Sequence, residues 1–159
     1  MIQGKTKSKL EASVAVLDNK IGDSNQGLIA YLFKFTNDMS GEITYVYPAK
    51  TDVYNRFCYA IFLYNIVPDI FDGHINLQPS GYYKYEVFQV DWEGDPQLAA
   101  GFAPVTEFDV LTPPSVNKGV VKGLVTKGKM LLSDKATTEQ VTYNQHPSPS
   151  GTNYIWSGK

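Results

Sequence analysis

Hydrophobic and polar residues alternate along most of this chain with the period of two that is typical of β-strands. The first clear run is LEASVAV (10–16), in which every second residue is apolar, so that the apolar side chains point to one face of a strand. Further strand-like runs are LIAYLFKFT (28–36), ITYVYPA (43–49), RFCYAIFLYN (56–65), HINLQ (74–78) and YYKYEVFQVD (82–91). LIAYLFKFT is apolar on both faces except at Lys34, which predicts a central strand.

The alternation is lost between Trp92 and Asn117, where four prolines interrupt the chain. Loops of this length are uncommon in compact domains and are usually functional or flexible. Strand character returns in GVVKGLVTKGKMLLSD (119–134), in which Gly123 and Gly128 are candidate β-bulges. QVTYN (140–144) and NYIWSG (153–158) are the last two predicted strands.

The stretch LQPSGYYKYEV (77–87) has the pattern of a tyrosine corner. In immunoglobulin-like and fibronectin type III sandwiches, a corner tyrosine buries its ring between the sheets and bonds through its hydroxyl to the backbone just upstream. Leu77, Pro79 and Tyr83 have the spacing of this motif, and Tyr85 and Val87 continue the inward face. Tyr82 and Lys84 are expected to point outward. A ligand contact at Tyr83 is the less favoured alternative.

About eight short strands separated by turns predict an all-β protein. With the corner motif, they indicate an immunoglobulin-like β-sandwich of about seven to eight antiparallel strands with one long irregular loop. The 159 residues fit a single domain. We expect residues 1–9, which are polar and basic, to form a mobile N-terminal arm, and residues 10–159 to form the sandwich.

Composition and charge narrow the classes of function. The 14 basic residues face 16 acidic ones, which argues against direct nucleic-acid binding, since that function normally needs a basic face. MIQGKTKSKL lacks the apolar region of a signal peptide, and no apolar run approaches a membrane span. Cys58 is the single cysteine, so it forms no intrachain disulfide and is interpreted as a small core residue. The 11 tyrosines suit both strands and interfaces.

The candidate chemistry is sparse, and we predict no catalytic, cofactor-binding or metal-binding residues and no enzymatic activity. His74 and His146 are the only imidazoles, and no GxSxG nucleophile motif is present. Both histidines are interpreted as surface or hydrogen-bonded residues. Calcium binding is a less favoured alternative for the acidic residues of two loops, because their spacing matches no EF-hand. These residues are Asp69, Asp72, Asp91, Glu93 and Asp95.

Five stretches of the chain carry a second resemblance. They are FKFTNDMSGE (33–42), YNRF (54–57), GYYKYEVFQ (81–89), Gly128-Lys129 before MLLSD, and TNYIWSG (152–158). In this order they resemble small virion-associated proteins of tailed bacteriophages, especially those of marine and Bacteroidetes hosts. The resemblance implies an immunoglobulin-like unit within the particle, as a capsid decoration, a neck or tail ring, or part of the baseplate. It implies no catalytic residues.

We therefore predict a non-enzymatic virion structural protein that is made in the host cytoplasm and assembles in multiple copies. A head–tail connector or tail ring is favoured over a capsid decoration. The expected partners are copies of itself and other virion proteins of the capsid, the portal or connector, or the tail, with no membrane contact. The candidate assembly contacts lie in the arm, the long loop and the C-terminal strand: Lys5, Lys7, Trp92, Phe102, Tyr154 and Trp156.

A carbohydrate-binding or host-adhesion β-sandwich module is the alternative from another class. Trp92 and Tyr64 lie close to predicted loops and could stack on a sugar ring, although aromatic residues in such positions more often fill the core. An enzyme is the third and least favoured class.

Overall fold

A computed structural model of the protein describes residues 1–54, 56–111 and 117–134. Among these residues there are nine strands and two single turns of 3-10 helix, at Leu17–Asn19 and Gln26–Leu28, and no α-helix. No helix in these ranges is long and apolar enough to cross a membrane. The strands are β1 (Ile2–Lys5), β2 (Leu10–Val14), β3 (Ile29–Asn37), β4 (Ile43–Val46), β5 (Lys50–Val53), β6 (Cys58–Tyr64), β7 (His74–Ile75), β8 (Gly81–Asp91) and β9 (Val120–Ser133).

The strands form two sheets in a sandwich-like arrangement. The larger sheet has the order β1-β9-β8-β3-β4, and the smaller has the order β2-β6-β5 with β7 paired to the end of β6. Most neighbours are antiparallel, but β1 pairs with β9 and β7 with β6 in parallel. The all-β prediction is therefore confirmed, whereas the expectation of purely antiparallel strands is wrong for these two pairs.

Aromatic side chains join the two sheets at the centre of the sandwich. The ring of Phe62, from β6, meets Phe33 and Phe35, from β3, edge to face at centroid distances of 5.0 and 5.6 Å. Such pairs contribute about 0.5–1.5 kcal/mol each beyond the burial of their area. Apolar residues of both sheets pack around them: Leu10, Ala12, Val14, Ala60, Tyr31, Val87, Val125 and Met130.

The predicted tyrosine corner forms at the start of β8. Tyr83 is 2% exposed while its neighbour Tyr82 is 53% exposed, so the register of the strand is the one that the sequence pattern implies. The Tyr83 hydroxyl donates to the carbonyl of Pro79 over 2.7 Å. Leu77 and Val87 are buried, and Tyr85 is half-buried and lies against Gly128 of β9.

The N-terminal segment differs from the expected mobile arm. Ile2–Lys5 is an edge strand whose register partners are Met130 to Ser133. Ile2 is buried in the core, and the Thr6 backbone N–H donates to the Ser133 carbonyl over 2.8 Å. The polar sequence of the segment concealed this strand, because its stabilisation comes from the ladder to β9 and one apolar side chain.

The structure differs from the sequence pattern at β5 and at one of the two candidate bulges. Lys50–Val53 forms β5, which the sequence pattern did not indicate, since three of its four residues are exposed. The bulge predicted at Gly123 is present as register shifts beside it, while Gly128 lies in regular pairing opposite Tyr85. The strands predicted at 140–144 and 153–158 lie outside the described residues.

Cys58 begins β6 and has no exposed surface. Burial raises the pKa of its thiol to about 12. Because the thiolate is the reactive form of cysteine, Cys58 behaves as a small core residue, which agrees with its interpretation from the sequence.

Replacing Tyr83 by phenylalanine tests the corner. We expect Tyr83→Phe to lower the free energy of unfolding by about 1–3 kcal/mol, because the Pro79 carbonyl loses its short hydrogen bond and keeps only the 3.5 Å bond from the Asn37 side chain. Tyr82→Phe, the matched control on the exposed face, should change it by less than about 0.5 kcal/mol. Denaturant melts of both variants measure the difference. A larger loss at Tyr82 would mean that the strand register is shifted by one residue.

The burial of Cys58 predicts slow thiol labelling. In the native protein we expect labelling by a thiol reagent to be slower by orders of magnitude than in denaturant, since the core must open first. Mass spectrometry during a time course measures the rate. Rapid stoichiometric labelling without denaturant would contradict the burial.

Candidate functional site

The outer face of the large sheet, which points away from the second sheet, is covered over part of its area by the loop that follows β8. A second apolar cluster lies between this loop and the sheet. It consists of Leu32, Tyr47, Phe88, Val90, Trp92 and Ala103, with Leu98, Phe71 and Val121 packed against it. Segment 92–111 of the long loop therefore packs on the large sheet as a third layer of the protein.

A charged cluster fixes this loop to the sheet. The Lys34 ammonium, on β3, lies 2.6 Å from a carboxylate oxygen of Glu107 and 3.4 Å from Glu86. Tyr45, on β4, donates its hydroxyl to the other oxygen of Glu107. A further bond runs from the buried Tyr47 hydroxyl to the carbonyl of Pro104 over 2.7 Å.

The pKa values in this cluster follow from its partial burial. Burial by itself would raise the pKa of the Glu107 carboxyl, but the hydrogen bonds from Lys34 and Tyr45 outweigh it, and that pKa is lowered. The Tyr45 pKa is raised to about 12, by burial and then by the bond to Glu107. The bond to Glu107 raises the pKa of Lys34. All three groups thus keep their charge states at neutral pH.

The turn beside this cluster is ordered by one aspartate and presents apolar side chains to solvent. Asp109 accepts hydrogen bonds from the backbone N–H groups of Val105 and Thr106 and from the Thr106 hydroxyl, at 2.7, 3.1 and 2.8 Å. Phe108 is nevertheless 82% exposed and Val110 is 88% exposed. A large apolar side chain on a fixed turn is a candidate contact with another protein, because little order must be gained on binding.

Two candidate contacts from the long loop have different positions. Trp92 is only 4% exposed, so its assignment as an assembly contact is wrong: it packs in the second cluster against Gly119. In the described chain, its indole Nε1 is a buried side-chain donor without a hydrogen-bond partner. Phe102 is partly buried, and its carbonyl accepts from Gly119. Phe108 is not among the contacts predicted from the sequence, although an aromatic residue between two acidic residues in a proline-containing loop is a signal that could have indicated it.

The other candidate contacts lie at the two ends of the chain. Lys5 ends β1 and Lys7 lies in the turn after it, and both are exposed. Their side chains are therefore accessible, but their backbone belongs to the sandwich and its first turn. Tyr154 and Trp156 lie outside the described residues.

An exposed aromatic pair stands where β5 turns into β6. The rings of Tyr54 and Phe57 stack at a centroid distance of 4.8 Å and an interplanar angle of 24°. The Tyr54 N–H donates to the Phe57 carbonyl over 2.9 Å, and both side chains are exposed. Hydrophobic patterning does not indicate this pair as a contact, and Arg56 is exposed beside it.

Three connections leave the sandwich at the same end. Val14, Cys58 and Val53 lie in one row of the small sheet, and Ile29, Asp91 and Val120 lie in one row of the large sheet. Segment 15–28 joins the two rows, because it follows Val14 and precedes Ile29. Segment 15–28, the β5–β6 turn and segment 92–119 therefore begin on one side.

A buried polar network holds the first of these connections. Gln89 has no exposed surface and exchanges two hydrogen bonds with the backbone of Ile21, at 2.9 and 2.8 Å. Gln89 also donates to Asp91 over 2.7 Å, and Asp91 accepts from the Ser24 hydroxyl. The full pairing of these groups indicates a structural role for Asp91.

The remaining candidate chemistry is not gathered into a site. His74 forms an isolated bridge with Asp69 through its backbone, and His146 lies outside the described residues. Within residues 1–54, 56–111 and 117–134, no group of three metal-ligating side chains is close enough to hold an ion.

Comparisons with protein-family models, curated proteins and solved structures gave no match.

The charged cluster that holds the long loop against the sheet predicts an acid-sensitive contribution to stability. Because the Glu107 pKa is lowered in the folded state, the carboxylate stabilises the protein above its unfolded pKa, about 4.5, and this contribution is lost as the pH falls through the folded value. We expect Glu107→Gln to cost about 1–3 kcal/mol at pH 7 and less at pH 3. Denaturant melts at both pH values measure this, with exposed Glu93→Gln as control. Equal losses at the two pH values would contradict a stabilising role for the charged form of Glu107.

Proposed function

We propose that the protein is a non-enzymatic structural protein of a tailed-phage virion, built as an immunoglobulin-like unit that assembles in multiple copies. The observation that carries the proposal is the presentation of Phe108 and Val110 on a turn held by Asp109 and Glu107. An exposed aromatic side chain on a preorganised support is typical of a protein contact. The five stretches that resemble virion proteins supply the biological setting.

The immunoglobulin-like assignment is supported by the strand order. In variable-type immunoglobulin domains one sheet contains strands B, E and D, and the other contains G, F, C and C′. The order β2-β6-β5 against β9-β8-β3-β4 follows the same scheme. On this assignment, the connections that share one end are those after strands B, D and F.

The corner supports the same assignment. Tyr83 opens the strand that corresponds to F, and its hydroxyl bonds to the backbone four residues upstream, as in the corner of that fold. Tyr85 stands where antibody domains have the second disulfide cysteine, and a Cβ on Gly128 would lie only 2.6 Å from its Oη. The Tyr85 side chain therefore lies across Gly128 of the neighbouring strand β9.

The position in the particle that we favour is the head–tail connector or a tail ring. A ring needs each copy to contact its neighbour through two different surfaces. The loop turn with Phe108 lies over the outer face of the large sheet, while the first sheet edge is formed by β1. These surfaces are separate, which suits repeated heterologous contact.

The test is copy number in purified particles. We expect the protein to co-purify with particles through a density gradient at a fixed number of copies per portal. Particles of a phage that carries Phe108→Ser should contain about tenfold fewer copies of the protein, since the loss of an interface anchor costs 1 kcal/mol or more of binding free energy. Met39→Ser is the control, because Met39 is equally exposed on the β3–β4 turn. Absence from particles would overturn the proposal, and equal incorporation of both variants would exclude Phe108 as the contact.

A carbohydrate-binding or host-adhesion module remains the second candidate function, and the stacked Tyr54 and Phe57 favour it. Exposed ring faces can stack on sugars, and Arg56 could bond to their hydroxyl groups. Binding on a glycan array that is lost in Tyr54→Ala and retained in Tyr82→Ala would favour this function.

A further inference from the structure

The N-terminal segment keeps one alternation of buried and exposed residues through a change of direction. Ile2, Thr6, Leu10, Ala12, Val14 and Val16 are buried, and each odd-numbered residue from Met1 to Ala15 is exposed. This period of two continues across the turn at residues 6–9, which carries the chain from β1 in one sheet to β2 in the other. A straight strand over residues 2–14 would therefore keep the buried side chains from Ile2 to Val14 on one face.

One residue makes the turn possible. Lys7 has a φ of 53° and is the only non-glycine residue with positive φ in the described part of the chain. This left-handed conformation is unfavourable for a residue with a Cβ. The closed arrangement therefore contains local strain at the point where straightening would occur, and short strained hinges favour the exchange of elements between chains.

We propose that β1 is exchanged between neighbouring copies of this protein, each placing its Ile2–Lys5 strand beside β9 of the next. The Thr6–Lys9 turn opens at Lys7, and β1 and β2 become one continuous strand. A segment of nine extended residues spans about 30 Å, which is enough to reach an adjacent domain. Every contact of β1 with β9 is made again in the neighbour, so the exchange costs few contacts.

The position beside β9 is shaped for this particular strand. A Cβ added at Gly4 would lie 2.6 Å from Leu10 and 3.3 Å from Leu132, so a larger residue does not fit there without movement. The Ser133 hydroxyl donates to the Gly4 carbonyl over 3.1 Å, and Ile2 fills a buried position. These requirements match the chain's own Ile2–Lys5 strand, so that the occupant from another molecule is a second copy of this chain.

The inference deepens the proposed function and rests on it for its setting, because a particle holds neighbouring copies at a high effective concentration. Its test uses the purified full-length chain without particles, so that the two can fail separately. Gln3 and Leu131 are register partners on β1 and β9. In a Gln3→Cys/Leu131→Cys variant, a cross-link between the two positions reports whether the paired strands belong to one chain or to two.

The variant is folded from denaturant at low and at high protein concentration and cross-linked with a short bifunctional thiol reagent. Peptide mapping then identifies the chains joined in each size fraction. We expect links within one chain in the monomer and links between chains in the oligomer. Links confined to single chains in the oligomer, or a monomer at every concentration, would overturn the exchange. The unmodified chain, whose Cys58 is buried, controls for other links.

Hinge variants give a second readout with opposite signs. Lys7→Gly removes the strain of the closed turn and should lower the equilibrium ratio of exchanged to closed chains about fivefold per hinge. Valine, a β-branched residue, tolerates positive φ least, so Lys7→Val should raise that ratio. Lys9→Val controls for the added β-branched residue at another exposed position. Identical ratios in the glycine and valine variants would exclude Lys7 as the hinge.

Discussion

The packing of Phe62 against Phe33 and Phe35 is the constraint on which the rest of the structure depends. Because strand side chains alternate, fixing these two β3 rings inward places Leu32 and Lys34 on the outer face of the large sheet. The same register continues into β8, where Phe33 pairs with Val87 and Asn37 pairs with Tyr83. A shift of one residue would expose the core face and bury Lys34, so one aromatic contact between the sheets fixes both faces.

The outer face then creates a requirement that the long loop meets. Leu32, Phe88 and Val90 point away from the main core, and an apolar surface of this kind needs a cover. Trp92 and Ala103 provide it, but Lys34 lies at the edge of the same surface with its side chain only 16% exposed. A partly buried ammonium needs an opposite charge, which Glu107 supplies from the loop. The apolar contacts and the ion pair therefore hold the same loop segment against the large sheet.

The sequence predicts those parts of the protein whose determinants are local. Tyr83 was identified because a corner needs its leucine, proline and tyrosine within seven residues, and β3 because both its faces are apolar. β1 and β5 were missed because their sequences, IQGK and KTDV, are polar and form strands only beside β9 and β6. Trp92 was misplaced for the same reason. Its burial depends on Gly119, whose contact with it the sequence pattern does not reveal.

Several apolar side chains that are exposed to solvent lie on connections, where the core does not determine their identity. Phe108 and the Tyr54–Phe57 pair follow strands whose register is already fixed, and each is held by local hydrogen bonds of its own connection. Replacing them should leave the aromatic contact between the sheets intact. The N-terminal turn is likewise independent of the aromatic contact. The alternation of residues 2–16 suits a bent and a straight chain equally, and the positive φ of Lys7 is the feature that belongs to the bent form. The sandwich thus separates the contacts that fix its fold from the surfaces that are free to meet a partner.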